Sequence, residues 1–293
     1  MSHGHGDGDG DGHSGHGRSD SARPGHGPAA DHDTGLAELL DLDAALGAPV
    51  LDAALDAAAE ALGRPPLAVA DLGAGTGTGT FAVARRFPDA VVHSLDASPR
   101  MLELLAAGAA ERGLGDRVTP RLVDLDGDWP AVLPGGIDLA WAALSLHHVT
   151  DPAEVLRQAL GVLRPGGVLV VIEMTRSTVF SPADLGTGID GLGERLVAAL
   201  AGEGYPVTGE WSEALEAAGF ARVDRRETSF TASSETDAGA RYLELQLTRN
   251  RDVVADVLPR ADLDGLDATI AALAAGDASL VLAAGRAVWV AVR

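Results

Sequence analysis

Val69-Ala70-Asp71-Leu72-Gly73-Ala74-Gly75-Thr76-Gly77-Thr78-Gly79 starts apolar, turns through closely spaced glycines and leads into a second apolar segment. The run Leu67–Leu72 is too short for a helix and stops at glycine, which predicts a strand; Phe81–Phe87 then predicts a helix. Glycines at 73, 75 and 77 let the backbone turn sharply and let a ligand lie against it without interference from a Cβ. Dinucleotide enzymes use a similar loop. Here the spacing is G-x-G-x-G, with Thr78-Gly79 blurring the distinction from G-x-G-x-x-G.

Downstream, strand and helix patterns alternate. Strands are predicted at Val91–Leu95, Arg117–Val123, Ile137–Ala142 and Val168–Ile172, and helices at Pro99–Arg112 and Asp151–Leu163. Strands that are apolar on both faces and separated by helices imply a parallel sheet covered on both sides. The fold class is therefore α/β, a doubly wound, mostly parallel sheet. Further on, Leu192–Ala201, Trp211–Ala218, Tyr242–Val257 and Leu266–Ala274 read as helices, and Ala221–Glu227 and Ala287–Val292 as strands. Upstream, Leu36, Leu39, Leu40, Leu42 and Leu46 form an apolar helical stripe. Pro49–Leu62 is a second helix, closed by Gly63 and Pro65-Pro66. The expected organisation is a disordered tail at 1–35, a helical cap at 36–64, and a domain at 65–293 with insertions at about 175–210 and 236–284.

The chain has 293 residues, 22 basic against 43 acidic, and a formal net charge of −21. Every basic residue is arginine. Such a field repels polyanions, so a nucleic-acid partner is not expected. Cysteine is absent, which excludes disulfides, thiolate catalysis and cysteine zinc sites. No apolar run reaches the roughly 20 residues that span a bilayer, and no signal-peptide pattern opens the chain. A cytoplasmic protein without a membrane partner is expected. The tail holds six of the nine histidines: His3, His5, His13, His16, His26 and His32. Interleaved with Asp and Gly, they imply at most weak affinity for zinc or nickel, without the fixed spacing of a metal site.

Two carboxylates follow strand tips. Asp96, 21 residues beyond Gly75, stands where a carboxylate accepts bonds from both hydroxyls of a ribose. That favours an adenosine-containing ligand and disfavours NADP, whose 2′-phosphate it would repel. Asp124-Leu125 follows the third strand, where Asp124 can accept from an adenine amino group and Leu125 supplies an apolar face.

With these elements in order, the chain resembles the class I S-adenosylmethionine-dependent methyltransferases. The resemblance rests on Asp71-Leu72-Gly73-Ala74-Gly75-Thr76-Gly77, then Asp96, Asp124, Ile137-Asp138-Leu139 and Leu144-Ser145-Leu146-His147-His148. It continues through Leu163-Arg164-Pro165-Gly166-Gly167 and Glu216-Ala217-Ala218-Gly219-Phe220. It covers about residues 65–230, and the family pattern implies seven strands with the last reversed. It further implies S-adenosyl-L-methionine as cofactor and a small-molecule acceptor methylated at oxygen or nitrogen. Gly73, Ala74, Gly75 and Gly77 would hold the methionyl part, with Asp71 near its ammonium. Asp96 would bind the ribose, Ala97 would pack on the adenine, Asp124 and Leu125 would bracket it, and Ala143 or Leu144 would touch the methionyl chain.

A sulfonium methyl is already activated, so alignment of the nucleophile provides much of the acceleration. A nucleophile that carries a proton gains from a base, and His147 and His148 are the candidates. No Asn-Pro-Pro-Tyr-type segment follows strand four, where Ala143-Leu144-Ser145-Leu146 stands. Trp141 and Trp289 are expected in the core, Trp129 at the adenine pocket or the surface, and Phe180 or Tyr205 in the acceptor pocket. The arginines at 222, 225, 226, 241, 249 and 251 are expected mainly to pair with the surplus carboxylates. The helical additions offer a surface for a homodimer. Two competing readings are an NAD-dependent oxidoreductase and a non-catalytic ligand or metal carrier. The commonest oxidoreductase signature, Tyr-x-x-x-Lys, is impossible in a chain without lysine.

Overall fold

The computed structural model describes Met1 and residues 30–175, 177–203 and 210–293. The side chains of the tail histidines, and all of Tyr205, lie outside the described residues.

Two helices open the fold, α1 (Ala30–Leu46) and α2 (Ala48–Leu62). Strand β1 (Ala68–Leu72) then feeds the glycine loop and α3 (Thr78–Arg86). β2 (Val91–Asp96), α4 (Pro99–Glu111), β3 (Val118–Leu122), β4 (Ile137–Ala143), α5 (Pro152–Val162) and β5 (Leu163–Met174) continue the alternation. The ends of the helices follow local chemistry. The Ser98 hydroxyl accepts from the Met101 amide at the start of α4, with Pro99 in the first turn, and Gly63 closes α2 in the left-handed region at φ 63°. Beyond β5 come β6 (Val179–Ser181), α6 (Leu192–Gly202), α7 (Ser212–Ala218), β7 (Arg222–Ser233), α8 (Asp237–Val253), α9 (Arg260–Ala275) and β8 (Val281–Val292).

The sheet is eight-stranded. β3, β2, β1, β4 and β5 lie side by side in parallel, β8 runs antiparallel along β5, and β7 pairs with the other side of β8. The reversed last strand is as expected. The eighth strand is β6, three residues that pair with the start of β8 past the end of β5. Its extent is too short to stand out from the loop expected at 175–191. β7 and β8 are also longer than the strands expected at 221–227 and 287–292. Their extra residues pair across β7–β8, from Thr228 opposite Arg286 to Ser233 opposite Val281.

Alternation along β8 separates two cores. Val288 and Val290 join α2, α3, α8 and α9 on one face, while Ala287, Trp289 and Ala291 join α5 and α7 on the other. Trp141 and Trp289 are fully buried, as expected. So is Trp129, which the sequence placed at the adenine pocket or the surface; it packs in the second core instead. Phe180 is likewise buried, against Gly193 of α6, and does not line the cleft described below. No described helix is long and apolar enough to cross a membrane.

Asp138, in β4, ties the start of the sheet to its flanks. Its Oδ2 accepts from the amides of Leu67 (2.9 Å) and Ala68 (3.0 Å), and its Oδ1 lies 2.7 Å from Arg64 and 3.0 Å from Arg164. Burial works against the charge, but Arg64, the two amides and Arg164 outweigh it and hold the carboxyl well below its usual range. A depressed folded-state value means stability that is present at neutral pH and lost as acid protonates the folded state, below the usual carboxylate range. Asp138→Ala is expected to cost about 2 kcal/mol at pH 7, since both arginines are half-exposed and their share is screened. Denaturant titrations at pH 7 and pH 3 should show the gap between variant and wild type narrowing in acid.

Candidate active site

The carboxyl ends of the parallel strands open into one cleft of about 1570 Å³. That exceeds the roughly 300–1,000 Å³ common for a single small ligand, which leaves room for two. One half lies over β1 to β4, and it gathers Gly73, Ala74, Gly75, Asp96, Ala97, Asp124, Leu125, Ala143 and Leu144 into a single wall.

Three strands shape this half. The amides of Gly73 and Ala74 both donate to the carbonyl of Leu95, at 2.9 and 2.8 Å, which folds the loop back over β2. Asp96 then fixes the tip of the loop. Its Oδ2 accepts from the Gly75 amide (2.9 Å) and its Oδ1 from the Ser98 amide (2.8 Å). Each oxygen can accept a second bond, and Asp96 lines the cleft, which suits a vicinal diol. Gly73 adopts φ 76°, and a Cβ there would sit 2.4 Å from Cβ of Ser145, whose hydroxyl donates to the Leu72 carbonyl at 2.6 Å. Leu144, at φ 56°, is held in a strained left-handed turn by its amide bond to the Ile172 carbonyl (2.8 Å).

Two residues expected at the cofactor stand behind this wall. Gly77 is the left-handed start of α3, and a Cβ on it would meet Leu105 and Phe81 at 2.8 Å, so helix packing demands the glycine. Asp71 is buried, and its Oδ2 accepts from the Thr80 hydroxyl at 2.6 Å; it does not line the cleft. Burial pushes its carboxyl up to about 7, opposed by the Thr80 hydroxyl and reinforced by the charge of Asp96. A raised value makes the folded state most stable at low pH, with stability declining as pH rises toward about 7. Asp71→Asn should therefore flatten the stability profile by about 2–3 kcal/mol between pH 5 and 8, on the scale of 1.36 kcal/mol per pKa unit. Equal pH dependence of the melting temperature in both proteins would contradict this.

The two histidines part company. His148 lines the cleft, whereas His147 does not. Nδ1 of His147 lies 2.7 Å from Oε2 of the buried Glu173, and its ring packs 4.0 Å from that of His148. Among the arginines, Arg222, Arg225, Arg226, Arg241 and Arg251 pair with carboxylates, as expected. Arg249 reaches the cleft. Among the described residues no group of three or more His, Asp or Glu is placed to hold a metal ion.

The other half of the cleft was not foreseen. It is lined by Leu36, Leu40, Asp43, Val50 and Leu51 from α1 and α2 together with Ile172, Phe230 and Arg286 from β5, β7 and β8. A bond from the Thr76 hydroxyl to Oδ1 of Asp41 (2.7 Å) fastens α1 to the glycine loop.

Comparison with known proteins agrees with this geometry. Residues 70–169 match the family model described as a methyltransferase domain. A trans-aconitate 2-methyltransferase of Methylobacterium radiotolerans is 41% identical over 118 residues, 39% of this chain and 42% of that protein. A malonyl-[acyl-carrier protein] O-methyltransferase of Laribacter hongkongensis is 32% identical over 129 residues, 43% of each. The chain thus spans less than half the length of these curated relatives. The crystal structure of the YcgJ protein from Bacillus subtilis superposes with a TM-score of 0.50 at 15% identity, covering 80% of this chain and 98% of that one. That likeness concerns the fold.

Proposed function

We propose that this chain, whose residues 70–169 carry a methyltransferase domain, transfers a methyl group from S-adenosyl-L-methionine to an oxygen or nitrogen of a small molecule. The observation that carries the reading is the meeting of the glycine loop, Asp96 and Asp124 in one cleft. Bound there, the cofactor supplies an electrophilic methyl group. The backbone from Gly73 to Gly75 and the Ala143–Leu144 turn would bind its methionyl part. Asp96 would accept from the ribose hydroxyls with its unused lone pairs, and Ala97, Asp124 and Leu125 would enclose the adenine. Asp71 and Gly77 would act behind the wall, through Thr80 and α3.

The apolar residues of α1 and α2 would exclude water from the reacting groups and hold the acceptor in line with the methyl, where alignment provides much of the acceleration. His148 is the histidine placed to take a proton from the acceptor, with His147 and Glu173 bracing it from behind. Neither relative fixes the acceptor, because each match covers less than half of either chain, and the family-model segment 70–169 contains none of Asp43, Phe230, Tyr242 and Arg286. The sequence and the cleft give no support for a nucleic-acid or membrane partner, and a homodimer remains an expectation from the helical additions alone.

Calorimetric titration separates the readings. S-adenosyl-L-methionine should bind at about one equivalent, and NAD should give no heat. Binding of NAD without binding of S-adenosyl-L-methionine would replace this reading with the oxidoreductase.

A further inference from the structure

Asp43, Tyr242 and Arg286 meet at the wall of the acceptor half of the cleft, brought there by α1, α8 and β8. Oδ2 of Asp43 accepts from Nη2 of Arg286 at 2.6 Å and from the Tyr242 hydroxyl at 2.9 Å. Nη1 of Arg286 donates to the carbonyl of Gly285, and its guanidinium lies 4.8 Å from the centre of the Phe230 ring. Burial opposes the charge of Arg286, but Asp43 beside it outweighs that and pushes its pKa up. Burial, then the charge of Asp43, raises that of Tyr242, so the phenol stays neutral and donates. Arg286 thus gives one bond from each terminal nitrogen to its own chain, and its side chain is only 5% exposed.

Asp43 differs. Both of its side-chain bonds fall on Oδ2, and the residue lines the cleft. Its other oxygen, Oδ1, takes no hydrogen bond among the described residues and is available to a donor, on a carboxylate whose orientation two donors already fix. Leu40, Val50, Leu51, Ile172 and Phe230 give the same cleft an apolar lining, to which Arg249 and Arg286 add cationic groups. Gly47 makes this wall possible: a Cβ there would lie 2.8 Å from the Asp43 carbonyl and 3.5 Å from the Phe230 ring.

We propose that Asp43 is the acceptor-recognition residue and that the acceptor is an apolar small molecule presenting a neutral O–H or N–H donor to Oδ1. A carboxylate placed against Oδ1 would face Asp43 with like charge, so a neutral donor is the better match for this oxygen. This rests on the methyltransferase reading for the word acceptor, but the site itself can be probed without turnover.

Three probes share an apolar body and differ in one group: 4-propylphenol, 4-propylanisole and 4-propylbenzoate. Their binding is measured calorimetrically to the full chain at pH 7.5 with saturating S-adenosylhomocysteine. The phenol should bind on the order of 10–100-fold more tightly than its methyl ether, the range of one hydrogen bond to a charged group. In Asp43→Asn, checked for an unchanged cofactor affinity and a cooperative melt, that preference should collapse to less than about threefold. A crystal structure of the wild-type complex should place the phenol oxygen within hydrogen-bond distance of Oδ1, which keeps the test sharp even if the variant fails to fold. A preference for the benzoate, equal binding of phenol and ether, or no saturable phenol binding each overturns the proposal. Loss of S-adenosylhomocysteine binding in the wild type would instead strike the reading under Proposed function.

Discussion

Gly73→Ala should remove measurable S-adenosyl-L-methionine binding and destabilise the chain by about 2–5 kcal/mol, the sum of two separable costs. A non-glycine residue in the left-handed region loses roughly 1–2 kcal/mol, and Gly73 sits at φ 76°. The added methyl would also lie 2.4 Å from Cβ of Ser145, an overlap that side-chain rotation cannot relieve. Ser145 must move, its bond to the Leu72 carbonyl is strained, and overpacking of this kind costs roughly 1–3 kcal/mol. Gly75→Ala is the control. Its Cβ would meet only Cδ1 of Leu40, at 3.6 Å, so the fold should lose only the backbone term of about 1–2 kcal/mol. Chemical denaturation of both variants, with calorimetry on the folded fraction, separates loop geometry from steric blocking. Wild-type stability and affinity in Gly73→Ala would remove the glycine loop from the site.

Asp96→Ala should weaken cofactor binding by about 100–1000-fold, or roughly 3–4 kcal/mol. The carboxylate serves two ends. It pins the Gly75 and Ser98 amides, and on the proposed reading its remaining lone pairs would accept from the ribose. Removing it loosens the loop and deletes charge-assisted bonds to the ligand, each of which contributes about 1.5–3 kcal/mol. Asp96→Asn keeps an oxygen for one amide and should retain part of the affinity, with a loss on the order of tenfold. If Asp96→Ala bound the cofactor as tightly as wild type, the ribose would have to lie elsewhere in the cleft.

Both predictions concern residues legible along the chain, because their signals are local. A left-handed turn needs glycine wherever the strand ends, and a carboxylate after the next strand lands at the same edge of a parallel sheet. Gly77 carries the same local signal and a different role: the packing of α3 against Leu105 and Phe81 requires it. Asp71 also matched the pattern, yet strand alternation turned it inward onto Thr80. His147 and His148 are adjacent in sequence, but the short turn that carries them sends one ring to Glu173 and the other to the cleft. Trp129 was expected at the adenine pocket or the surface, and Phe180 or Tyr205 in the acceptor pocket; the fold buries Trp129 and Phe180 in its cores.

Apolar periodicity and punctuation by glycine and proline sufficed for the alternation of strands and helices and for bringing the glycine loop, Asp96 and Asp124 to one edge of the sheet, since each depends on neighbours a few residues away; the reversed final strand came from the family resemblance. The half of the cleft under α1 and α2 had no such signature. Asp43 and Arg286 are 243 positions apart, and neither stands in a recurrent spacing. Their meeting follows from β8 inserting between β5 and β7 while α1 folds back over the sheet, so long-range packing had to bring the residues together before their chemistry could be read.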